Sequence, residues 1–104
     1  MSTIVLRAQV DPSASLLGAL RRVTGTALGE LRSSLMDGAP IVSEAIFGND
    51  HDEVSLVLLG VADVFEDAGV DYEIFELGEG ETFESAPLDR REISLSTLKN
   101  ILTT

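Results

Sequence analysis

The chain's one histidine stands in Asp50-His51-Asp52-Glu53, the only place where an imidazole meets carboxylates. As ligands these four would offer a hard cation an oxygen-rich site. Such a site needs more donors around a glycine-fixed loop, and the calcium-loop spacing is not met. A helix start accounts for the acids, which meet the positive end of the helix dipole. Glu79, Glu81 and Glu84, beside Gly78 and Gly80, have the composition of paired carboxylates for acid–base work. On a solvated hairpin nothing would raise a carboxyl pKa into the useful range. Gly25 and Gly29 lack the Lys-Ser/Thr that completes a phosphate loop. With a single histidine flanked by acids, no nucleophilic triad can be assembled. Cysteine is absent, which removes disulfides and thiolate metal sites. The expectation is a non-enzymatic protein with no catalytic set, no cofactor and no metal.

Arg21-Arg22, with Arg32, is the one local basic cluster. Guanidinium forks are suited to carboxylates, whether those of a partner or those of a second copy; a plain solvated cluster is the other reading. No aromatic residues interleave with these arginines, so nucleic acid is not expected as a partner. The cluster is notable against the rest of the chain, whose formal charge is −11. Residues 1–36 carry four arginines against Asp11 and Glu30, for +2; the remainder carries three bases against sixteen acids, for −13. So acidic a chain repels nucleic acid and anionic membrane and favours basic partners.

The elements that would position these residues follow from patterning. The 104 residues, 44% hydrophobic, make one domain with a real core. No apolar run is long enough to span a membrane and residues 1–12 do not read as a signal peptide, so a soluble cytoplasmic protein is expected. Thr3 to Val10 alternates as a strand, stopped by Asp11-Pro12. Ser13 caps a helix whose buried stripe is Leu16, Ala19, Leu20 and Val23. Gly25 ends it in a left-handed turn. Leu28, Leu31 and Leu35 form the stripe of a second helix, closed by Asp37-Gly38 and Pro40. Ile41 to Phe47 is a second strand, and Asn49 or Asp50 caps a third helix that stops at Gly69.

On that third helix Val54, Val57, Leu58, Val61, Phe65 and Ala68 share the inner face; Leu56, Leu59, Asp63 and Asp67 lie opposite, beside Gly60. Two outward leucines admit a contact patch for a second subunit, plain exposure, or cover by the tail. Val70 to Leu77 is a third strand, and Glu81 to Glu84 a short fourth. Beyond Pro87, Ser96 would cap a terminal helix with Leu98, Ile101 and Leu102 on one stripe, docked on the third helix or on a neighbouring molecule. The expected division is a domain over 1–78 and an extension over 79–104, with a homodimer formed through Leu56, Leu59, Leu98 and Ile101.

Ala19-Leu20-Arg21, the Val23-Thr24-Gly25 joint, Leu28, Ala39-Pro40, Glu66-Asp67-Ala68-Gly69 and Val70-Asp71-Tyr72-Glu73-Ile74 together resemble one family. It is the C-terminal domain of the bacterial ribosomal stalk protein, over about residues 3 to 77. The resemblance implies an α+β fold of order β-α-α-β-α-β, a three-stranded antiparallel sheet packed on three helices. It also implies that the first two helices offer a basic surface to translational GTPases. Arg21 and Arg32 match basic positions of that surface, whereas Ser13, Gly18 and Gly29 stand where others are expected. The family's dimerisation helices and hinge have no counterpart here, and residues 78 to 104 are additional. The chain therefore reads as a stand-alone relative with a different protein partner, docking around Arg21, Arg22, Gly25 and Arg32.

The protease adaptor ClpS is similar in fold, but its Asn-Asp pair is replaced by Val10-Asp11-Pro12-Ser13. Regulatory ACT domains are similar through Arg7-Ala8-Gln9-Val10-Asp11-Pro12 and would require a fourth strand between Phe47 and Val54. An acidic inhibitor mimicking an anionic ligand is the other alternative; it requires Asp63, Asp67, Glu73, Glu76 and Glu79 to form one surface.

Overall fold

The computed structural model describes residues 2–46 and 51–103. Its elements are β1 (Thr3–Arg7), α1 (Ala14–Thr24), α2 (Leu28–Asp37), β2 (Pro40–Ala45), α3 (His51–Ala68), β3 (Glu73–Leu77), α4 (Leu88–Arg91), β4 (Glu92–Ile93) and α5 (Leu95–Leu102). The class is α+β. The sheet is antiparallel throughout, in the order β2-β1-β3-β4. Among the described residues four strands and five helices replace the three and three expected of the domain, because residues 88–102 supply an edge strand and two helices.

Local chemistry sets the helix ends. Ser13 Oγ accepts the Leu16 amide at 3.1 Å and starts α1. Gly25 ends it at φ 71°, its amide donating to the Arg21 carbonyl at 2.8 Å. Gly38 and Gly69 close α2 and α3 with φ of 73° and 67°. Glycine carries no Cβ penalty in that region, so it is the residue that such caps select. The capping candidates for α3, Asn49 and Asp50, lie outside the described residues, as does Phe47. The first strand ends at Arg7, short of Val10. Its register slips between Leu6 and Arg7, and the Val10 amide leaves the ladder to donate to the Leu35 carbonyl.

Alternation along β1 and β3 divides the core in two. Ile4, Leu6 and Ile74 face the helices and join Leu20, Leu31, Leu35, Leu58, Val61, Phe65 and Leu98. Val5, Phe75 and Leu77 face the other side, beneath Phe83, Ala86 and Leu88. The expected strand over Glu81 to Glu84 is instead a looped strap across this second face. Its backbone groups are taken locally: Glu81 Oε1 accepts the Gly78 amide at 2.7 Å, and the hydroxyls of Thr82 and Ser85 bond one another and the strap's own backbone. Arg91 grips both oxygens of Glu81, at 2.9 and 2.8 Å. That fork, with the Gly78 amide, holds the Glu81 carboxyl at about 2, far below the usual carboxylate range. What the fork contributes is therefore complete above the ordinary carboxylate range and is lost progressively as pH falls towards 2.

On the helical side, α3 is flanked by α1 and α5. Gly60 lets α1 come close: a Cβ there would stand 2.8 Å from Val23 Cγ1. The terminal helix begins two residues earlier than expected. Ser94, not Ser96, is its cap, with Oγ accepting the Thr97 amide at 3.1 Å. Leu98 is fully buried and Leu102 nearly so.

Candidate protein-binding face

The residues expected to meet a partner lie on consecutive helices. Arg21 and Arg22 occupy the last turn of α1, where their charge suits the negative end of the dipole. Arg32 sits in the middle of α2. All three are exposed, and none forms an ion pair among the described residues. The joint between the helices is fixed by more than Gly25. Thr24 Oγ1 donates to the Leu20 carbonyl at 2.9 Å and accepts the Thr26 amide at 3.1 Å. A side chain bonded to backbone on both sides of the turn restricts the angle between α1 and α2, and hence the spacing of the arginines.

Two features of α2 were not anticipated. Leu28, expected in the core, is 42% exposed, and Met36 is 51% exposed. With Arg32 they fall at i, i+4 and i+8, a single outward stripe of apolar, cationic and apolar character. Leu31 and Leu35 alone satisfy the core side of this short helix. Met36 stands four residues beyond Arg32, just ahead of the Asp37-Gly38 stop.

The expected self-association residues do not form a surface. Leu56 is 73% exposed, but Leu98 is buried in the chain's own core, and Leu59 and Ile101 pack against it. The reason lies in the neighbours of α3: with a helix on either flank, its buried arc is wider than that of a helix resting on a sheet alone. Ala62 is accordingly buried, whereas Ala68, expected on the inner face, is exposed.

Of the carboxylate clusters, Glu81 is engaged with Arg91, and Glu73 with Arg7 at 3.1 Å. His51 Nε2 lies 3.0 Å from the Leu102 carbonyl oxygen, joining the start of α3 to the end of α5; Asp50 lies outside the described residues. Among those residues no group of three or more His, Asp or Glu is placed to hold a metal. No helix among them is long and apolar enough to cross a membrane.

A groove of about 530 Å³ runs beside the end of α3, lined by Glu66, Asp71, Tyr72 and Glu92 among others. Tyr72 stacks on Phe65 at 5.3 Å and donates to Glu66 Oε2 at 2.8 Å. Burial, then that hydrogen bond, then the charges of Glu66 and Asp63 push its phenol from 10.0 up to about 12. It is thus a neutral donor at physiological pH, unsuited to general-base work. A raised phenol pKa means that its contribution to stability is complete below pH 10 and is lost as pH climbs towards 12. Tyr72 is the only tyrosine and tryptophan is absent, so its phenolate absorbance can be followed directly. The expected midpoint is about 12, and lower in Glu66→Gln; an ordinary midpoint in the native chain would refute this environment.

The class that fold and site define is a small α+β domain with a basic helical hairpin on an acidic body. Comparison with family models, with curated proteins and with solved structures finds no match.

Proposed function

We propose that this chain is a non-enzymatic protein-interaction domain of the ribosomal-stalk C-terminal type, whose partner docks on the outer face of the α1–α2 hairpin. One observation carries the reading: Arg21, Arg22 and Arg32 stay exposed and without ion pairs among the described residues, on a chain that holds eighteen acidic residues. Arginines left open in so acidic a molecule are available for the carboxylates of another protein, and bidentate geometry makes that recognition directional. Leu28 and Met36 add the apolar contacts that a polar rim alone does not supply. The additional strap and terminal helix favour a partner other than a translational GTPase.

The acidic-inhibitor reading has less support. Asp63 and Asp67 lie exposed on α3, whereas Glu73 is tied to Arg7, so the five acids are divided between the helical layer and the sheet. An ACT-type sensor needs a strand just before Val54, where α3 already runs from His51.

Affinity capture from native lysate, compared between the unaltered chain and Arg21→Glu/Arg22→Glu/Arg32→Glu, tests the docking face. The altered chain is expected to lose its specifically bound protein at least tenfold, with an unchanged circular dichroism spectrum. Reversing charge at the end of α1 costs the helix about 1 kcal/mol or less per residue, and the corresponding glutamine variants control for that. Recovery of the same proteins by the reversed and unaltered chains would end the proposal.

A further inference from the structure

β2 ends the sheet, with no strand beyond it among the described residues. Its hydrogen-bonding phase follows from two facts. The Ile46 amide donates to the Ser2 carbonyl at 3.0 Å, and Ile4 and Leu6 stand opposite Glu44 and Val42. Residues of an antiparallel strand alternate in the side to which their backbone bonds. Val42 and Glu44 therefore bond β1, and Ser43 and Ala45 turn amide and carbonyl to the open edge. The Ser43 and Ala45 side chains are small and exposed. Edges left open in monomers are usually guarded by lysine, proline or bulges; here Pro40 and the register break lie at one end, leaving Ser43 and Ala45 unguarded.

Two further observations fall at the same place. Leu28 and Met36, two of the three exposed large hydrophobics among the described residues, belong to α2, which packs on β2. Arg32, between them, and Glu44, on β2, carry opposite charges and neither has an ion pair among the described residues.

An antiparallel pairing of β2 with itself about Ser43 would set Ser43 against Ser43 and Val42 against Glu44, and would run out at the register break beside Ile41. The two Glu44 carboxylates are thereby kept from facing one another, a juxtaposition that destabilises strand pairs. Each Glu44 reaches instead towards the helical layer of the other copy, where α2 bears Arg32. An edge whose requirements are met by itself under a two-fold rotation has the property of an isologous interface. We propose that two copies of this chain pair through β2, continuing the four-stranded sheet across the two-fold axis and covering the Leu28–Arg32–Met36 stripe of α2.

Sedimentation velocity of the full chain, from micromolar to near-millimolar concentration, reads the assembly. In about 150 mM salt a Debye length of about 8 Å screens the −11 carried by each copy. The expected result is a concentration-dependent dimer. Ser43→Pro removes an outward amide and leaves the Val42 and Glu44 bonds to β1 in place, as proline does on edge strands; it should sediment as a folded monomer. Arg32→Glu should weaken the dimer at least tenfold, and Arg32→Glu/Glu44→Arg should restore it. A native chain that remains monomeric, or a dimer indifferent to Ser43→Pro, overturns the proposal. Should that variant not fold, amide exchange decides: protection of Ser43 and Ala45 that rises with concentration supports the pairing, and exchange independent of concentration overturns it. The dimer and a docked partner compete for Leu28, Arg32 and Met36. Capture through Arg21 and Arg22 is therefore compared in Ser43→Pro, where the stripe is uncovered, and failure to dimerise leaves the docking proposal standing.

Discussion

Cutting the chain after Gly78 is expected to abolish its cooperative thermal transition. The loss would not be that of an appended tail. Leu98 and Leu102 fill the helical core, and Phe83, Ala86 and Leu88 cover Val5, Phe75 and Leu77 and seal them from solvent. Removing a buried leucine side chain costs about 2–5 kcal/mol, and a domain of this size has only about 5–15 kcal/mol in total. Two leucines and the cover of a whole sheet face exceed that margin. The graded form of the experiment is Leu98→Ala. A residue with no solvent exposure, held between α5 and α3, should lose about 2–5 kcal/mol. At about 4–8 °C per kcal/mol for a chain of this length, the melting temperature falls by some tens of degrees or less. Circular dichroism on the shortened chain and on Leu98→Ala checks both. A 1–78 fragment that melts cooperatively within a few degrees of the full chain would show that strap and terminal helix are dispensable.

How far such features could be read beforehand depends on how local their causes are. The Ser13 cap, the left-handed Gly25 and Gly38, and the stop at Gly69 each depend on a few neighbouring residues, and each is readable from type and spacing. The Leu59 environment is not of that kind: it packs against a core assembled from elements distant in the chain, which its own helix wheel does not show. The second sheet face stands between these cases. Ile4-Val5-Leu6 and Ile74-Phe75 break the apolar–polar alternation of a sheet with one wet side, and an apolar run of this sort signals burial on both faces. What covers the far side was not evident, because Phe83 comes from a segment whose own patterning resembles a strand. Of the docking face, the arginines are legible as charge. The exposure of Leu28 and Met36 is not, since a ten-residue helix that touches its neighbours along a narrow line leaves out apolar residues that a wheel would place inside.

Gly38→Ala should destabilise the chain by about 2–4 kcal/mol, and Gly25→Ala by only about 1–2 kcal/mol, although both glycines end helices in the same backbone region. Their φ angles are 73° and 71°, so the conformational penalty of a side chain is shared. Their surroundings differ. A Cβ at position 25 meets nothing within 4 Å, whereas at position 38 it would stand 2.9 Å from Arg7 Nη2 and 3.3 Å from Gln9. The guanidinium of Arg7 is not free to withdraw: it pairs with Glu73 at 3.1 Å and lies 6.0 Å over the Phe83 ring. A methyl group at position 38 therefore presses on the contact that fastens the strap to the end of β1. The pair with Glu73 is partly exposed and contributes modestly, about 1 kcal/mol or less; the larger part of the difference is steric. Arg7→Ala separates the two. In that background the cost of Gly38→Ala should fall to that of Gly25→Ala, measured by urea unfolding of the four single and double variants. Equal costs for the two glycines in the native background would mean that Arg7 yields freely, and that the end of α2 and the strap are not mechanically joined.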